Sequence, residues 1–383
     1  MALRNEWWLT KQIHVSYFRI LMFAFEQLHE VQVEITNRCQ ASCPMCLRNV
    51  HSGIDNPLLQ PADWTLDQFK HIFNSQVLAQ IKGINFCGDF GDPIINNDLI
   101  AMCTYLKNNS TINVYIHTNG GARNTAWWQS LARALPANHK VEFALDGLED
   151  THALYRIGTD YTTIIRNAAA FIEAGGNAHW MYIKFKHNEH QVEVARNRAN
   201  ALGFKSFSVK NSKRFGKKFP VLDRQGQVTY YIEQPTNSTI KPVEFVDLKD
   251  YKSWKVDVSC FALDSKELYI DANGHLMPCC LIASFLYANY DTELHRKYGL
   301  IDETSIVSLA RQVQLEVYEL INELGGLASL DANTHSIKHI MDQPIWQELV
   351  RKKWSEHTSS PCKILCGTSS PYIKISEQVN RIT

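Results

Sequence analysis

The sequence predicts an α/β fold built on a parallel sheet, and three observations carry that expectation. Six short β-rich runs recur along the first two hundred or so residues, at 31–36, 84–87, 112–118, 141–145, 180–185 and 204–209. The stretches between them, as in 96–108 and 161–174, place apolar residues at helical spacing, and Gly175-Gly176 supplies a stop for the second. Strands alternating with helices require crossover connections, which make the strands parallel. With 383 residues, 45% of them apolar, the chain is long enough for one large domain and a smaller one.

Composition narrows the classes of function. Lysine plus arginine and aspartate plus glutamate number 39 each, so no overall charge draws the chain towards nucleic acid or an anionic membrane. The N-terminal part has apolar stretches only as short as Ile20 to Phe25, with no small-residue cleavage site and no run of about eighteen apolar residues. A cytoplasmic protein is expected, with neither membrane nor nucleic acid as partner. Ten cysteines in such a compartment point to metal or catalytic use rather than disulfides.

Directly after the first predicted strand stand Cys39, Cys43 and Cys46, within Glu34-Ile-Thr-Asn-Arg-Cys-Gln-Ala-Ser-Cys-Pro-Met-Cys46. Three thiolates on one short loop can hold three irons of a four-iron, four-sulfur cluster and leave the fourth open. A structural zinc site wants paired knuckles instead, which this three-then-two spacing does not give. The loop follows a strand of a parallel sheet, so it lies at the carboxyl end, where ligands bind.

The triplet resembles the signature of the radical S-adenosylmethionine (SAM) superfamily, and later motifs are similar to that family in order. The resemblance implies a partial (β/α)6 TIM-like barrel over 31–215, with SAM chelating the open iron and being cleaved to a 5'-deoxyadenosyl radical that abstracts hydrogen from substrate. Met45 takes the place of the family's usual aromatic residue and has a polarizable side chain suited to adenine. Gly91-Asp92-Pro93 resembles the family's Gly-Glu-Pro turn that receives the SAM ammonium, with aspartate in the acidic place. His117-Thr118-Asn119-Gly120 is similar to the Thr-Asn-Gly ending that faces the SAM ribose or the substrate, although turn chemistry alone would also explain Asn119-Gly120. Asp146-Gly147 followed by Arg156 resembles the segment whose arginine pairs with the SAM carboxylate, a task suited to its planar fork; Ala144 stands where relatives have serine. Lys184, His187 and Asn188 follow the fifth strand and would lie over the adenine or substrate, or be ordinary loop residues.

A second cysteine set closes the chain. Cys260 precedes Gly274 by thirteen intervening residues and Gly274 precedes Cys279 by four, with Cys362 and Cys366 far beyond. The intervening Asn273-Gly274 predicts a small hairpin that would bring Cys260 and Cys279 together. This spacing resembles the twitch form of the SPASM auxiliary-cluster domain, which implies Cys260, Cys279, Cys362 and Cys366 as ligands of a second four-iron cluster. Cys280 is an alternative to Cys279, and zinc on four cysteines is the alternative to iron. Cys87 and Cys103 read as buried thiols.

The basic run 205–218, Pro220 and the polar stretch 223–238 mark a boundary. The expected organisation is an N-terminal extension over 1–30, the barrel over 31–215, a linker over 216–254, and a small α+β auxiliary-cluster domain over 255–383 with a helical insert near 306–353. The expected activity is an oxidative modification of a small molecule or peptide, with one electron passing to the auxiliary cluster and a flavodoxin- or ferredoxin-type donor supplying electrons. A peptide or protein maturase and a non-catalytic metal-binding protein are the alternatives.

Overall fold

The computed structural model describes residues 23–50, 52–212, 218–236, 258–287, 306–323, 325–344, 346, 362, 363 and 366. Strand β1 (Glu30–Val33) is followed by the short pair β2 (Asn49–Val50) and β3 (Ile54–Asp55), then by β4 (Gly83–Phe86), β5 (Asn113–Thr118), β6 (His139–Ala144), β7 (Ala178–Lys184) and β8 (Ser206–Asn211). Strands β1, β4, β5, β6, β7 and β8 lie side by side in that order, all parallel. These are the six runs read from the sequence, with ends displaced by a few residues.

Period-two alternation is clear in β5 and β7, whereas β4 is buried on both faces. In β5, Val114, Ile116 and Thr118 are buried while Asn113, Tyr115 and His117 are half-buried on the other face. Helices α1 (Leu66–Ile72) and α2 (Ser75–Gln80) lead into β4, α3 (Leu99–Asn109) into β5, α4 (Thr125–Ala134) into β6, α5 (His152–Tyr155) and α6 (Tyr161–Glu173) into β7, and α7 (Val192–Leu202) into β8. Helix α3 buries Leu99, Met102, Cys103 and Leu106, the i, i+3, i+4, i+7 stripe of a helix on a sheet. Asp160 caps α6 by accepting from the Thr163 amide at 2.7 Å. The helix stops where the sequence predicts: Gly175, at φ +91°, donates to Ile172 O and Gly176 to Phe171 O, each at 2.9 Å, a left-handed C-terminal cap.

Two expectations about organisation need correction. Residues 216–254 are expected as a linker, yet β9 (Lys218–Leu222) and β10 (Val228–Glu233) form an antiparallel hairpin. Its turn is held by Asp223, which accepts from the Gln225 and Gln227 amides, and by Gly226 at φ +77°. Val221 and Ile232 bury their side chains in a second apolar cluster with Met45, Tyr155 and Phe185. The hairpin thus covers the cysteine loop. The rest of the predicted linker lies largely outside the described residues.

The second correction concerns the segment from 255. Helix α8 (Phe261–Ser265) leads into β11 (Glu267–Ile270), which pairs parallel with β1, and β12 (Leu276–Met277) pairs antiparallel with β11. The predicted Asn-Gly hairpin is therefore the edge of the main sheet, giving eight strands in the order β12-β11-β1-β4-β5-β6-β7-β8. Leu268 and Ile270 are fully buried, which is what holds β11 in place. Helix α9 (Cys280–Tyr287) packs against the helix Ile306–Glu323, whose Val313, Val317, Leu320 and Ile321 are buried as the insert's periodicity predicts. Residues 1–22 of the extension and 347–353 of the insert lie outside the described residues. Among the described residues, no helix is long and apolar enough to cross a membrane.

Candidate functional site

The cysteine loop leaves the carboxyl end of β1 and is tied down from several sides. The Cys39 sulfur accepts from the Ala41 amide at 3.3 Å and from Asn119 Nδ2 at 3.4 Å. An Nη of Arg156 stands 3.9 Å from the Cys43 sulfur, and the Cys46 thiol lies 3.9 Å from the Asp89 carbonyl oxygen. Burial pushes the Cys43 thiol up to about 11 and Cys39 further, with Asp92 and then the neighbouring sulfurs adding to the rise at Cys39 and Arg156 opposing it at Cys43. Among the described residues, no group of three His, Cys, Asp or Glu side chains is gathered for a metal ion. A pocket of about 300 Å³, lined in part by Asn37, Arg38, Arg48 and Asp55, opens beside Cys39.

The turn after β4 is held by a residue that the sequence reading passes over. Glu34, 1% exposed, accepts from the amides of Phe90 and Gly91 at 2.6 and 2.7 Å, and from the Tyr269 hydroxyl at 2.7 Å. No local signal marks it, since a carboxylate is ordinary at a polar position of the alternating run 31–35, and its partner Tyr269 is 235 residues away. Gly91 must be glycine, because a Cβ there would lie 2.0 Å from the Thr36 carbonyl oxygen. Burial, then the neighbouring Asp89, push the Glu34 carboxyl up to about 8 against these hydrogen bonds.

A carboxyl raised from 4.5 to about 8 stays protonated in the fold while the unfolded chain ionises, so its contribution to stability is complete below about 4.5 and is lost as pH rises towards 8. Glu34→Gln keeps an acceptor for both amides and cannot ionise. We expect the urea midpoint of the wild type to fall more between about pH 5 and 8 than that of the variant. Parallel curves would show that Glu34 is ionised throughout.

Asp92, 4% exposed, joins the ends of β4 and β5: one oxygen accepts from the Ile94 amide at 3.2 Å, the other from Thr118 Oγ1 at 3.1 Å and the Asn119 amide at 2.7 Å. Pro93 opens the short 3-10 turn Pro93–Ile95 behind it. Asn119 Oδ1 in turn accepts from Gln40 Nε2 at 2.6 Å, so Asn119 bridges β5 and the cysteine loop through both ends of its amide. Asp92, Thr118 and Asn119 are thus brought together beside Cys39.

Arg156 approaches the loop from the other side. Its Nε donates to Asp146 Oδ2 at 2.6 Å, and Asp146 Oδ1 accepts from the Ile183 amide at 2.5 Å. Burial alone would lower the arginine's pKa; Asp146, with Cys43, more than reverses it, and the guanidinium stays charged. Asp146 is fully buried with both oxygens engaged, which makes it a positioning residue for Arg156.

The remaining predicted residues separate. Met45, 6% exposed, packs under the hairpin with Tyr155 and Phe185. Lys184 ends β7 opposite Asn211. His187 stacks on Phe185 with ring centroids 5.4 Å apart, and burial lowers its pKa to about 4. Of the two readings open for Asn188, the structure shows the loop role: it is fully buried, donates to Asp146 O and Ile183 O, and accepts from the Phe185 amide, closing the turn after β7. His117 pairs with Glu142 at 3.1 Å.

In the second cysteine set, the Cys279 thiol is raised by burial and then by Cys260 and Cys366, and Cys366 by burial and then by Cys260. The Ser259 amide donates to Cys366 O at 3.0 Å, tying the far segment to Cys260. Cys362 and Cys366 each have helical conformation. Cys280 faces elsewhere, towards Asp89 and Cys87. The predicted bystanders Cys87 and Cys103 are buried.

The donor chemistry fits an iron-sulfur cluster with one iron left open. Three cysteine sulfurs share one loop, and a buried guanidinium beside them offsets thiolate charge and offers a fork to an anionic co-ligand.

No family model and no curated protein matches the chain. Among solved structures it is similar to Streptococcus suis SuiB bound to S-adenosylmethionine, at 14% identity over 73% of this chain and 68% of that one, with a TM-score of 0.47. It is also similar to anSMEcpe with bound AdoMet, at 12% identity, 85% and 80% coverage and a TM-score of 0.49. A third likeness is to BtrN in complex with AdoMet and 2-DOIA, at 12% identity, 88% and 92% coverage and a TM-score of 0.43.

Proposed function

We propose that this chain is a radical SAM enzyme that carries out an oxidative modification of its substrate, with a second cluster to take up an electron. The observation that carries this reading is the convergence on the cysteine loop of Arg156, Asn119 and the Asp92 turn, each brought in by a different strand. When bound, the four-iron cluster supplies the electron that cleaves SAM and generates the hydrogen-abstracting radical.

The chain's own residues bind and orient. Cys39, Cys43 and Cys46 hold three irons. Arg156, aimed by Asp146, pairs with the SAM carboxylate, and main-chain carbonyls of the turn around Gly91, Asp92 and Pro93 accept from its ammonium. Asp92 keeps that turn in place through Thr118 and Asn119. The hairpin over Met45 excludes water from one side. Cys260, Cys279, Cys362 and Cys366 hold the second cluster, and a flavodoxin- or ferredoxin-type protein supplies electrons.

The test is anaerobic reconstitution with iron and sulfide, followed by SAM and dithionite. Formation of 5'-deoxyadenosine supports the reading; a fully iron-loaded protein that leaves SAM intact refutes it.

Arg156→Lys separates SAM binding from folding. A lysine is a point charge and cannot hold Asp146 and a carboxylate with one planar fork. Calorimetry on the reconstituted variant is expected to show SAM affinity about tenfold weaker, roughly the 1.4 kcal/mol of one charge-assisted hydrogen bond. Unchanged affinity would remove Arg156 from the SAM site.

A further inference from the structure

The face of the sheet turned away from the helices is polar, and its charges are unevenly distributed. On the β5–β8 side the basic groups are engaged: His117, Lys140 and Lys210 surround the Glu142 carboxylate at 3.1, 3.8 and 3.8 Å. On the β11–β1 side two carboxyls stand next to each other, since Glu267 is in register with Glu30. Glu30 is in turn in register with Gly83. A Cβ on Gly83 would find the Tyr115 ring at 3.6 Å and the Glu30 carboxyl carbon at 3.7 Å, so these side chains flank the space that the glycine leaves.

An independent observation comes from Asn85, two residues further along β4 on the same face. It is 8% exposed, and its Oδ1 is buried with no hydrogen-bond partner among the described residues. A buried orphan acceptor costs free energy unless a donor reaches it. Two adjacent carboxyls are also unfavourable: burial, Glu30 and then Asp89 push Glu267 up to about 8, and burial raises Glu30 with His117 as the group that opposes. A donor that is also a cation would relieve both.

We propose that this wall receives a cationic group of the substrate, an ammonium or guanidinium, with Glu30 and Glu267 as counter-charges and the Asn85 amide oxygen as acceptor. The assignment rests on the radical SAM reading only in taking this face as the substrate side. Glu30 lies four residues before Glu34, at the head of the cysteine loop, which sets the cation about 13 Å from that end of the strand. A lysine or arginine side chain, roughly 6–7 Å from Cα to its charged end, spans about half of that length, and a longer-chain amine more of it.

The reconstituted, SAM-loaded protein can be titrated by ligand-observed NMR with four matched probes: butylammonium, butylguanidinium, 1-butanol and pentanoate. Both cations are expected to bind at least tenfold more tightly than the alcohol or the acid. Glu30→Gln and Glu267→Gln, each isosteric and checked for folding by circular dichroism, are each expected to weaken cation binding about tenfold. Adding N-acetyl-lysine methylamide separates two sources of the cation: tighter binding than butylammonium indicates a lysine side chain, weaker binding a free amine. Equal binding of all four probes, or unchanged cation affinity in both variants, overturns the assignment. That outcome with 5'-deoxyadenosine still formed by the wild type leaves the radical reading standing; selective cation binding without 5'-deoxyadenosine does the reverse.

Discussion

Replacing Cys39, Cys43 and Cys46 together by alanine is expected to leave the protein with about half its iron and no ability to make 5'-deoxyadenosine. The wild type, reconstituted without oxygen, should hold about eight irons in two clusters of four. The triple variant should keep about four, because the second set of thiols sits on other elements: Cys260 before α8, Cys279 before α9, and Cys362 and Cys366 on the far segment. The loop itself does not depend on sulfur for its path. The Ser42 amide donates to Ile157 O at 2.7 Å, Arg48 donates to the Ala41 carbonyl, and the Ser52 hydroxyl donates to Ser42 O at 2.5 Å. Iron analysis and chromatography of the quenched reaction read both parts. Stoichiometric zinc in protein purified without oxygen, with no iron uptake, would overturn the reading for both sets.

What the sequence revealed of this molecule follows the range of the interactions involved. β-rich runs and helical stripes are local patterns, and they located all six parallel strands; the Gly175-Gly176 stop is local as well. The cysteine triplet, Gly91-Asp92-Pro93 and Asn119 were legible because their chemistry needs particular residues in fixed order on one loop. Asn188 was left open between a ligand and a turn because a short polar side chain after a strand suits either, and its hydrogen bonds to the Asp146 and Ile183 carbonyls favour the turn. The hairpin over 218–233 was hidden by polar residues on its outer face: Thr229, Tyr231 and Glu233 are exposed, while Pro220, Val221, Leu222 and Ile232 are buried. Glu34 and Tyr269 were illegible for a different reason. Neither has a local cue, and the register of β11 on β1 is fixed by burial of Leu268 and Ile270 across more than two hundred residues of chain.

The adjacent cysteines at 279 and 280 offer the second large effect. They stand where the chain enters α9, Cys279 just before it and Cys280 as its first residue. Cys279 lies near Cys260 and Cys366, whereas Cys280, beside it, lies near Asp89 and Cys87 beyond the end of β4 and near Glu267 on β11. Cys279→Ala is therefore expected to lose the second cluster and about half the iron, and Cys280→Ala to keep both. In the proposed reaction the substrate radical loses one electron to that cluster and a proton to solvent, giving a product two electrons more oxidised than the substrate. Cys279→Ala should still form 5'-deoxyadenosine with dithionite while product falls below detection, and Cys362→Ala should behave likewise. If Cys280→Ala loses the iron and Cys279→Ala keeps it, the ligand is the other cysteine. If the cluster is lost and product forms at the wild-type rate, the second cluster takes no electron from the substrate, and a redox-neutral reaction such as epimerisation replaces oxidation.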